Sequence, residues 1–111
     1  MTAVFDTGLL VATIDRSVKH HARCAAFLEN PEGTCLVPTT VLVEVCWLLE
    51  ERPDVEAAFP ESVASGEFKQ VAITGTDLVR MAELVRAYAD LPLGAVDASV
   101  IAVAERRRIC S

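Results

Sequence analysis

Three acidic residues, Asp6, Glu44 and Asp97, lie within apolar stretches of the sequence. On a helix, Glu44 would share one face with Val41, three residues before it, and Leu48, four residues after it. A carboxylate that is buried without a partner costs several kcal/mol or becomes protonated. A hard divalent cation satisfies several carboxylates at once. We therefore predict that the three acids meet and hold a metal ion.

Each acid also has a simpler interpretation when it is considered alone. Asp6 can cap the helix predicted to follow it. Asp97 falls in the first turn of a predicted helix, where the helix dipole favours a negative charge. Glu44 can pair with an arginine that is distant in sequence. The occurrence of all three in apolar surroundings is what favours a metal site.

Asp6 ends a predicted strand over residues 3–6 and is followed at once by a predicted helix over residues 8–14. In open α/β sheets, ligands bind just beyond the carboxyl ends of the strands. Asp6 therefore occupies a position where binding chemistry is usually found.

Hydrophobic periodicity and turn residues predict the remaining elements. Further strands are predicted over residues 34–37 and 70–73, and further helices over 18–28, 41–51, 77–89 and 95–107. Thr39 or Thr40 is the predicted cap of the 41–51 helix, and Thr76 that of the 77–89 helix. Residues 55–59 are predicted to be helical, with a kink or restart at Pro60, and residues 109–110 to begin another strand.

The 77–89 helix is predicted to bury an apolar face made of Leu78, Met81, Ala82, Leu84, Val85 and Tyr88. Strands that alternate with helices predict a parallel sheet wrapped by helices. The length of 111 residues favours a single domain over residues 1–111.

Composition excludes several classes of protein. A hydrophobic content of 52% excludes an intrinsically disordered chain. A net charge of −6 argues against a protein that coats nucleic acid electrostatically, but not against an enzyme that meets phosphates through bound cations. No apolar run approaches the roughly 20 residues needed to span a bilayer. We therefore expect a cytoplasmic protein without membrane contact.

Cysteines, histidines and arginines offer weaker candidates for function. The cysteines Cys24, Cys35, Cys46 and Cys110 form no CxxC pair, and we interpret them as small buried hydrophobic residues in a reducing cytosol. His20 and His21 are adjacent and face different directions on a helix, which favours solvated surface positions. The arginines at 106–108 are interpreted as a solvated helix end, with phosphate contact as the alternative.

Three segments of the chain resemble the PIN-domain nucleases, and most of all their VapC-type toxin branch. These are Val4–Thr7, Pro38–Val45 and Leu93–Ala102, and the resemblance covers the whole chain in order and spacing. It implies a three-layer α/β/α fold with a central parallel sheet. The family commonly has a fourth acid on a strand after the last helix, and this chain ends where that strand would begin. We therefore expect a PIN-like fold without its last strand or strands.

The resemblance implies an endoribonuclease that uses Mg²⁺ or Mn²⁺. Asp6, Glu44 and Asp97 correspond to the first three acidic positions of the family. Asp6 and Asp97 would then bind the metal directly, and Glu44 would complete the cluster directly or through water. The resemblance further implies a homodimer, an RNA substrate and a cognate antitoxin that inhibits the enzyme.

Two other functions stay open at this point. The first is a PIN-like protein that has lost catalysis and acts only by binding a partner protein, which the missing fourth acid favours. The second is a phosphotransferase resembling the haloacid dehalogenases, with Asp6 as the nucleophile. That chemistry usually requires a second aspartate two residues later, where this chain has Gly8.

Overall fold

The computed structural model describes residues 2–14, 33–91 and 93–109. These residues form three strands and five helices. The strands are β1 (Thr2–Val4), β2 (Thr34–Pro38) and β3 (Lys69–Val71). The helices are α1 (Thr7–Ile14), α2 (Thr39–Leu48), α3 (Pro53–Ala64), α4 (Gly75–Ala87) and α5 (Ala95–Arg107). The helix predicted over residues 18–28, including His20 and His21, lies outside the described residues.

The three strands form one parallel sheet in the order β1-β2-β3. Val4 pairs with Leu36, and Leu36 pairs in turn with Lys69. Because the strands are parallel, their carboxyl ends lie at the same edge of the sheet. Helices flank the sheet, and this confirms the predicted α/β fold with a central parallel sheet.

The main core lies between the sheet and the helices. Its buried strand residues include Val4, Leu36 and Val37, each no more than 1% exposed. A parallel sheet is covered on both faces, which explains why its strands are continuously apolar in sequence. A second, smaller core joins α4 to α5 through Met81, Leu84, Ala98 and Ala102.

Two predicted helix caps are wrong. Pro38 precedes α2, so Thr39 and Thr40 both lie inside its first turn. For α4 the cap is Thr74 and not Thr76. Thr74 accepts a hydrogen bond from the backbone N–H of Asp77, whose carboxylate accepts the N–H of Thr74 in return. This reciprocal pair satisfies two backbone donors at once, an advantage that Thr76 lacks at its position.

Of the two outcomes predicted at Pro60, a kink or a restart, the restart is excluded, because α3 runs without interruption from Pro53 to Ala64. The neighbouring Phe59 is 3% exposed and packs edge-on against Phe68, with the ring centroids 5.4 Å apart. This buried contact anchors α3 to the core directly before Pro60. The strands β1 and β3 are shorter than predicted, and β1 ends two residues before Asp6.

Only part of the predicted apolar face of α4 is buried. Met81 and Leu84 are buried, whereas Leu78 is 56% exposed. The buried line also includes Asp77, at 1% exposure. Asp77 accepts a hydrogen bond from Nε of Arg106 at 2.9 Å, and this ion pair ties the first turn of α4 to the last turn of α5. The ion pair between buried Asp77 and partly exposed Arg106 therefore helps to set the rotation of α4.

Candidate active site

Asp6 lies where the chain leaves β1 and enters α1. The backbone N–H of Phe5 still bonds to Leu36 O at 2.9 Å, so β1 and β2 stay paired up to the residue before Asp6. Asp6 Oδ1 then accepts the N–H of Leu9 at 2.8 Å. Asp6 therefore caps α1, as the simpler interpretation predicted. That bond uses Oδ1, and a carboxylate has a second oxygen that can accept other bonds.

A cavity of about 350 Å³ opens at this edge of the sheet. Two aspartates that are far apart in sequence, Asp6 and Asp97, both line it. The remaining walls are apolar and come from β1, α1 and α5, through Val4, Leu9, Val100 and Ile101. The fold thus brings together the two residues that the family resemblance assigns as direct metal ligands.

The third acid does not join them. Glu44 is half-buried on α2 and is absent from the lining of this cavity. Across residues 2–14, 33–91 and 93–109, no group of three or more His, Cys, Asp or Glu residues is arranged so that it could hold a metal ion. The structure therefore brings two of the three predicted acids together.

Although Asp97 lies in an apolar stretch of the sequence, its side chain is exposed in the first turn of α5. An exposed carboxylate there is favoured by the helix dipole and needs no buried partner. Glu44 follows the buried residue Val41 by three positions and precedes Leu48, which is 51% exposed. The face that carries Glu44 thus turns from the core toward the surface within two helical turns.

The two aspartates suit a Mg²⁺ or Mn²⁺ ion that keeps several of its water ligands. Mg²⁺ usually keeps several waters and is bound through one or two carboxylates together with substrate phosphates. A cavity with two carboxylates that is open to water suits this mode of binding. It does not suit a site in which every ligand comes from the protein. Beside Asp6, the buried hydroxyl of Thr7 has no hydrogen-bond partner among the described residues. Thr7 does not line the cavity, so the polar side chains that the cavity offers a hydrated cation are those of Asp6 and Asp97.

Hydroxyl groups connect the helices around the site, and the sequence analysis missed them. Thr40 Oγ1 and Ser99 Oγ lie 2.5 Å apart, and Ser99 Oγ also lies 2.5 Å from Val96 O. Ser99 is fully buried, at 0% exposure. The signal for it was a serine inside the apolar run of α5, a position that demands a hydrogen-bond partner.

The arginine run lies at the other end of α5. Arg106 is nine residues after Asp97, or about 14 Å along the helix axis. It donates to Asp77 and to the carbonyl oxygen of Ala72, so its guanidinium is committed to structure and not to phosphate contact. The hydrogen bond from Arg106, aided by those from Thr74, lowers the pKa of Asp77.

The prediction of buried cysteines is confirmed for Cys35, which is a buried free thiol, whereas Cys24 and Cys110 lie outside the described residues. Burial raises the pKa of Cys35 to about 12, so the thiol stays protonated at neutral pH. Cys46 is also free and is half-buried. No helix within the described part of the chain is long and apolar enough to cross a membrane.

Known proteins with the same fold match nearly the whole chain. The structure of Mycobacterium tuberculosis VapC20, described as a sarcin-ricin loop cleaving toxin, superposes with a TM-score of 0.84 at 19% identity, covering 98% of this chain and 85% of that one. The structure of VapBC2 from Rickettsia felis bound to a DNA fragment from its promoter gives a TM-score of 0.71 at 14% identity, covering 98% of this chain and 84% of that one.

Sequence comparison points to the same group. Ribonuclease VapC26 of Mycobacterium tuberculosis (strain ATCC 25618 / H37Rv) is 25% identical over 107 residues, which are 95% of this chain and 79% of that protein. The PIN domain family matches residues 3–109. The match includes Asp6, Glu44 and Asp97 and every described helix and strand except Thr2, the first residue of β1. The chain therefore belongs to the PIN domain family.

Proposed function

We propose that the protein is a divalent-metal-dependent endoribonuclease of the VapC type, acting as the toxin of a toxin–antitoxin pair. Membership of the PIN domain family supports this proposal, as does similarity to proteins described as a ribonuclease and as a sarcin-ricin loop cleaving toxin. The observation that carries it is the position of Asp6 and Asp97, which line one cavity at the carboxyl edge of the sheet.

In this function, Asp6 and Asp97 would hold Mg²⁺ or Mn²⁺, and Glu44 would act from its half-buried position on α2, through water. A divalent cation held there would lower the pKa of a water molecule and stabilise charge on phosphate oxygens. The capping bond from Leu9 holds the Asp6 carboxylate in one orientation. Val100 and Ile101 form apolar walls beside the two carboxylates.

The test is cleavage of total RNA with Mg²⁺, with Mn²⁺ and with a chelator, using wild type, Asp6→Asn and Asp97→Asn. Asp54→Asn is the matched control, because Asp54 is also an exposed aspartate in the first turn of a helix but lies on α3. We expect metal-dependent cleavage by wild type and by Asp54→Asn, and none by the other two. Full cleavage by Asp6→Asn or by the chelated protein would refute the proposal.

A second candidate function is partner binding without catalysis. The finding that favours it is that the described residues contain no group of three potential metal ligands. A protein of this kind would cleave no RNA with any metal and would show no metal-induced change in melting temperature. The same cleavage experiment therefore separates the two functions.

The proposed function includes partners. We propose a cognate antitoxin, a homodimer and a cytoplasmic location, where RNA is accessible, for a single-domain protein of residues 1–111. The antitoxin would reach the cavity with an arginine, because a guanidinium pairs bidentately with a carboxylate and competes with the metal. A structure of the complex in which the inhibitor leaves Asp6 and Asp97 uncovered would contradict this mode of inhibition.

A further inference from the structure

A chain of hydroxyl groups joins α2 to α5. Val96 O can only accept a hydrogen bond, so the hydroxyl of Ser99, 2.5 Å away, must donate to it. Ser99 Oγ then receives its own hydrogen bond from the hydroxyl of Thr40, also 2.5 Å away. The chain therefore has one direction, from Thr40 through Ser99 to Val96. Both distances are at the short end for bonds between hydroxyl and oxygen.

The two ends of this chain lie next to the two helical acids. Val96 O belongs to the peptide bond that links Val96 to Asp97, so Ser99 restrains the backbone that carries Asp97. Thr40 precedes Glu44 by four residues on α2, which places both on the same side of the helix one turn apart. We propose that Thr40 and Ser99 are positioning residues, which set the first turn of α5, and hence Asp97, relative to the helix that carries Glu44.

This inference rests on the proposed function. The burial of Ser99 supports it, because loss of the Thr40 hydroxyl would leave the fully buried Ser99 without that hydrogen-bond partner, at a cost in free energy. Asp97 itself is exposed, and within the described part of the chain its carboxylate has no hydrogen bond or ion pair that would orient it. The orientation of Asp97 toward the cavity must then come from its backbone, and the backbone beside it is where the hydroxyl chain ends.

Thr39 offers a matched control in the same helical turn. Its hydroxyl donates to Val71 O at 3.2 Å and accepts a bond from Gln70 Nε2 at 2.9 Å, so it ties α2 to β3 and not to α5. Thr39→Val and Thr40→Val each remove one hydroxyl from a half-buried threonine without changing the shape of the side chain. Thr39→Val loses hydrogen bonds between α2 and β3, whereas Thr40→Val loses the hydrogen bond between α2 and α5.

The experiment compares wild type, Thr39→Val, Thr40→Val, Thr40→Ser, Ser99→Ala and the double variant Thr40→Val/Ser99→Ala. Cleavage is measured on a synthetic RNA oligonucleotide copied from the strongest wild-type cleavage site in total RNA. Binding of Mn²⁺ is measured without RNA by electron paramagnetic resonance. Thermal melts show whether each variant is folded.

We expect Thr40→Val and Ser99→Ala to lower kcat by about tenfold and to weaken Mn²⁺ binding by about tenfold, as loss of groups that orient metal ligands does elsewhere. KM for the oligonucleotide should stay unchanged, because the lost interaction orients the site and does not bind the substrate. The double variant should be no worse than either single variant, since both remove the same chain. Thr40→Ser, which keeps the hydroxyl, should behave as wild type, as should Thr39→Val.

Two results would overturn the inference while leaving the proposed function intact. The first is a folded Thr40→Val with wild-type kcat and wild-type Mn²⁺ affinity. The second is a Thr39→Val that loses as much kcat as Thr40→Val, which would show general loosening of α2. A wild-type protein that neither cleaves RNA nor binds Mn²⁺ would overturn the inference together with the proposed function.

Discussion

Asp6 Oδ1 accepts the backbone N–H of Leu9 at 2.8 Å, and both residues line the cavity that Asp97 also reaches. One carboxylate thus begins the helix α1 and faces the candidate active site. The two interpretations that the sequence left open for Asp6, a helix cap and a metal ligand, are compatible, because they can use different oxygens. The two roles can be separated by substitution.

Asp6→Asn and Asp6→Ala should separate capping from catalysis. Asparagine caps helices as well as aspartate does, so Asp6→Asn should keep the stability of the wild type, whereas Asp6→Ala should lose about 1 kcal/mol of unfolding free energy. Both variants should lose RNA cleavage, because an amide is a poor substitute for an anionic metal ligand. Urea denaturation and RNA cleavage measure the two effects. An Asp6→Ala variant as stable as the wild type would show that the capping bond contributes nothing.

Mn²⁺ should stabilise the folded protein through Asp6 and Asp97. A ligand specific for the folded state adds about 2.7 kcal/mol at a hundredfold excess over its dissociation constant. For a chain of this length, that corresponds to a rise of about 10 °C in melting temperature. Mn²⁺ should act at lower concentration than Mg²⁺, since it binds oxygen and nitrogen ligands more tightly.

The variants for this metal titration follow from the lining of the cavity. Asp6→Asn/Asp97→Asn should lose the thermal shift, and Glu44→Gln should lose less of it, because Glu44 does not line the cavity. Equal shifts in wild type and in the double aspartate variant would mean that the cation binds elsewhere. A larger loss in Glu44→Gln than in the double variant would place the metal beside α2.

The Asp77–Arg106 pair should make stability depend on acid pH. Arg106 lowers the pKa of Asp77 in the folded state below its unfolded value of about 3.9. The stabilisation is therefore fully present above about pH 4 and is lost as the pH falls through the lower, folded pKa. At neutral pH, Asp77→Asn should lose about 2 kcal/mol of unfolding free energy, as expected for a hydrogen bond between charged groups. The difference in unfolding free energy between wild type and Asp77→Asn should become smaller as the pH falls toward the folded pKa of Asp77.

Arg80 and Glu105 provide the control for this measurement. They also join α4 to α5, with Arg80 Nη2 3.1 Å from Glu105 Oε1, but their side chains are 42% and 47% exposed. Exposed ion pairs contribute little and are screened by salt. Arg80→Gln should therefore change the melting temperature less than Asp77→Asn does at neutral pH. The opposite order would show that burial does not decide the strength of these pairs.

Cys35 should be protected from alkylation in the folded protein. Its thiol is 3% exposed, and burial raises the pKa of Cys35 to about 12, so at pH 8 almost no thiolate is present. Mass spectrometry of peptides after iodoacetamide treatment should find Cys35 unmodified in native protein and modified in denaturant. Rapid labelling of Cys35 under native conditions would mean that β2 opens readily.

Much of the architecture follows from local patterns in the sequence. Continuous apolar runs identified β2, and apolar periodicity identified α1 and α5, because these segments are buried by whichever neighbours they meet. The predictions were wrong where two neighbouring residues could both play the same local role. Thr76 has a side chain that can cap a helix. Thr74 caps α4 instead, because it forms a reciprocal pair of hydrogen bonds with Asp77 that satisfies two backbone donors.

By itself, the sequence determined that Asp6 follows a buried strand and begins a helix, and that Asp97 lies in the first turn of another helix. Both follow from local apolar pattern and turn residues. Only the tertiary structure decided that these two acids line one cavity while Glu44 does not, because that depends on how α2 and α5 pack against the sheet. The partner of Ser99 and the partner of Asp77 were likewise decided only by packing, since each lies more than 25 residues away in sequence. Local patterns specify which side chains need a partner, and only the folded chain specifies which partner they find.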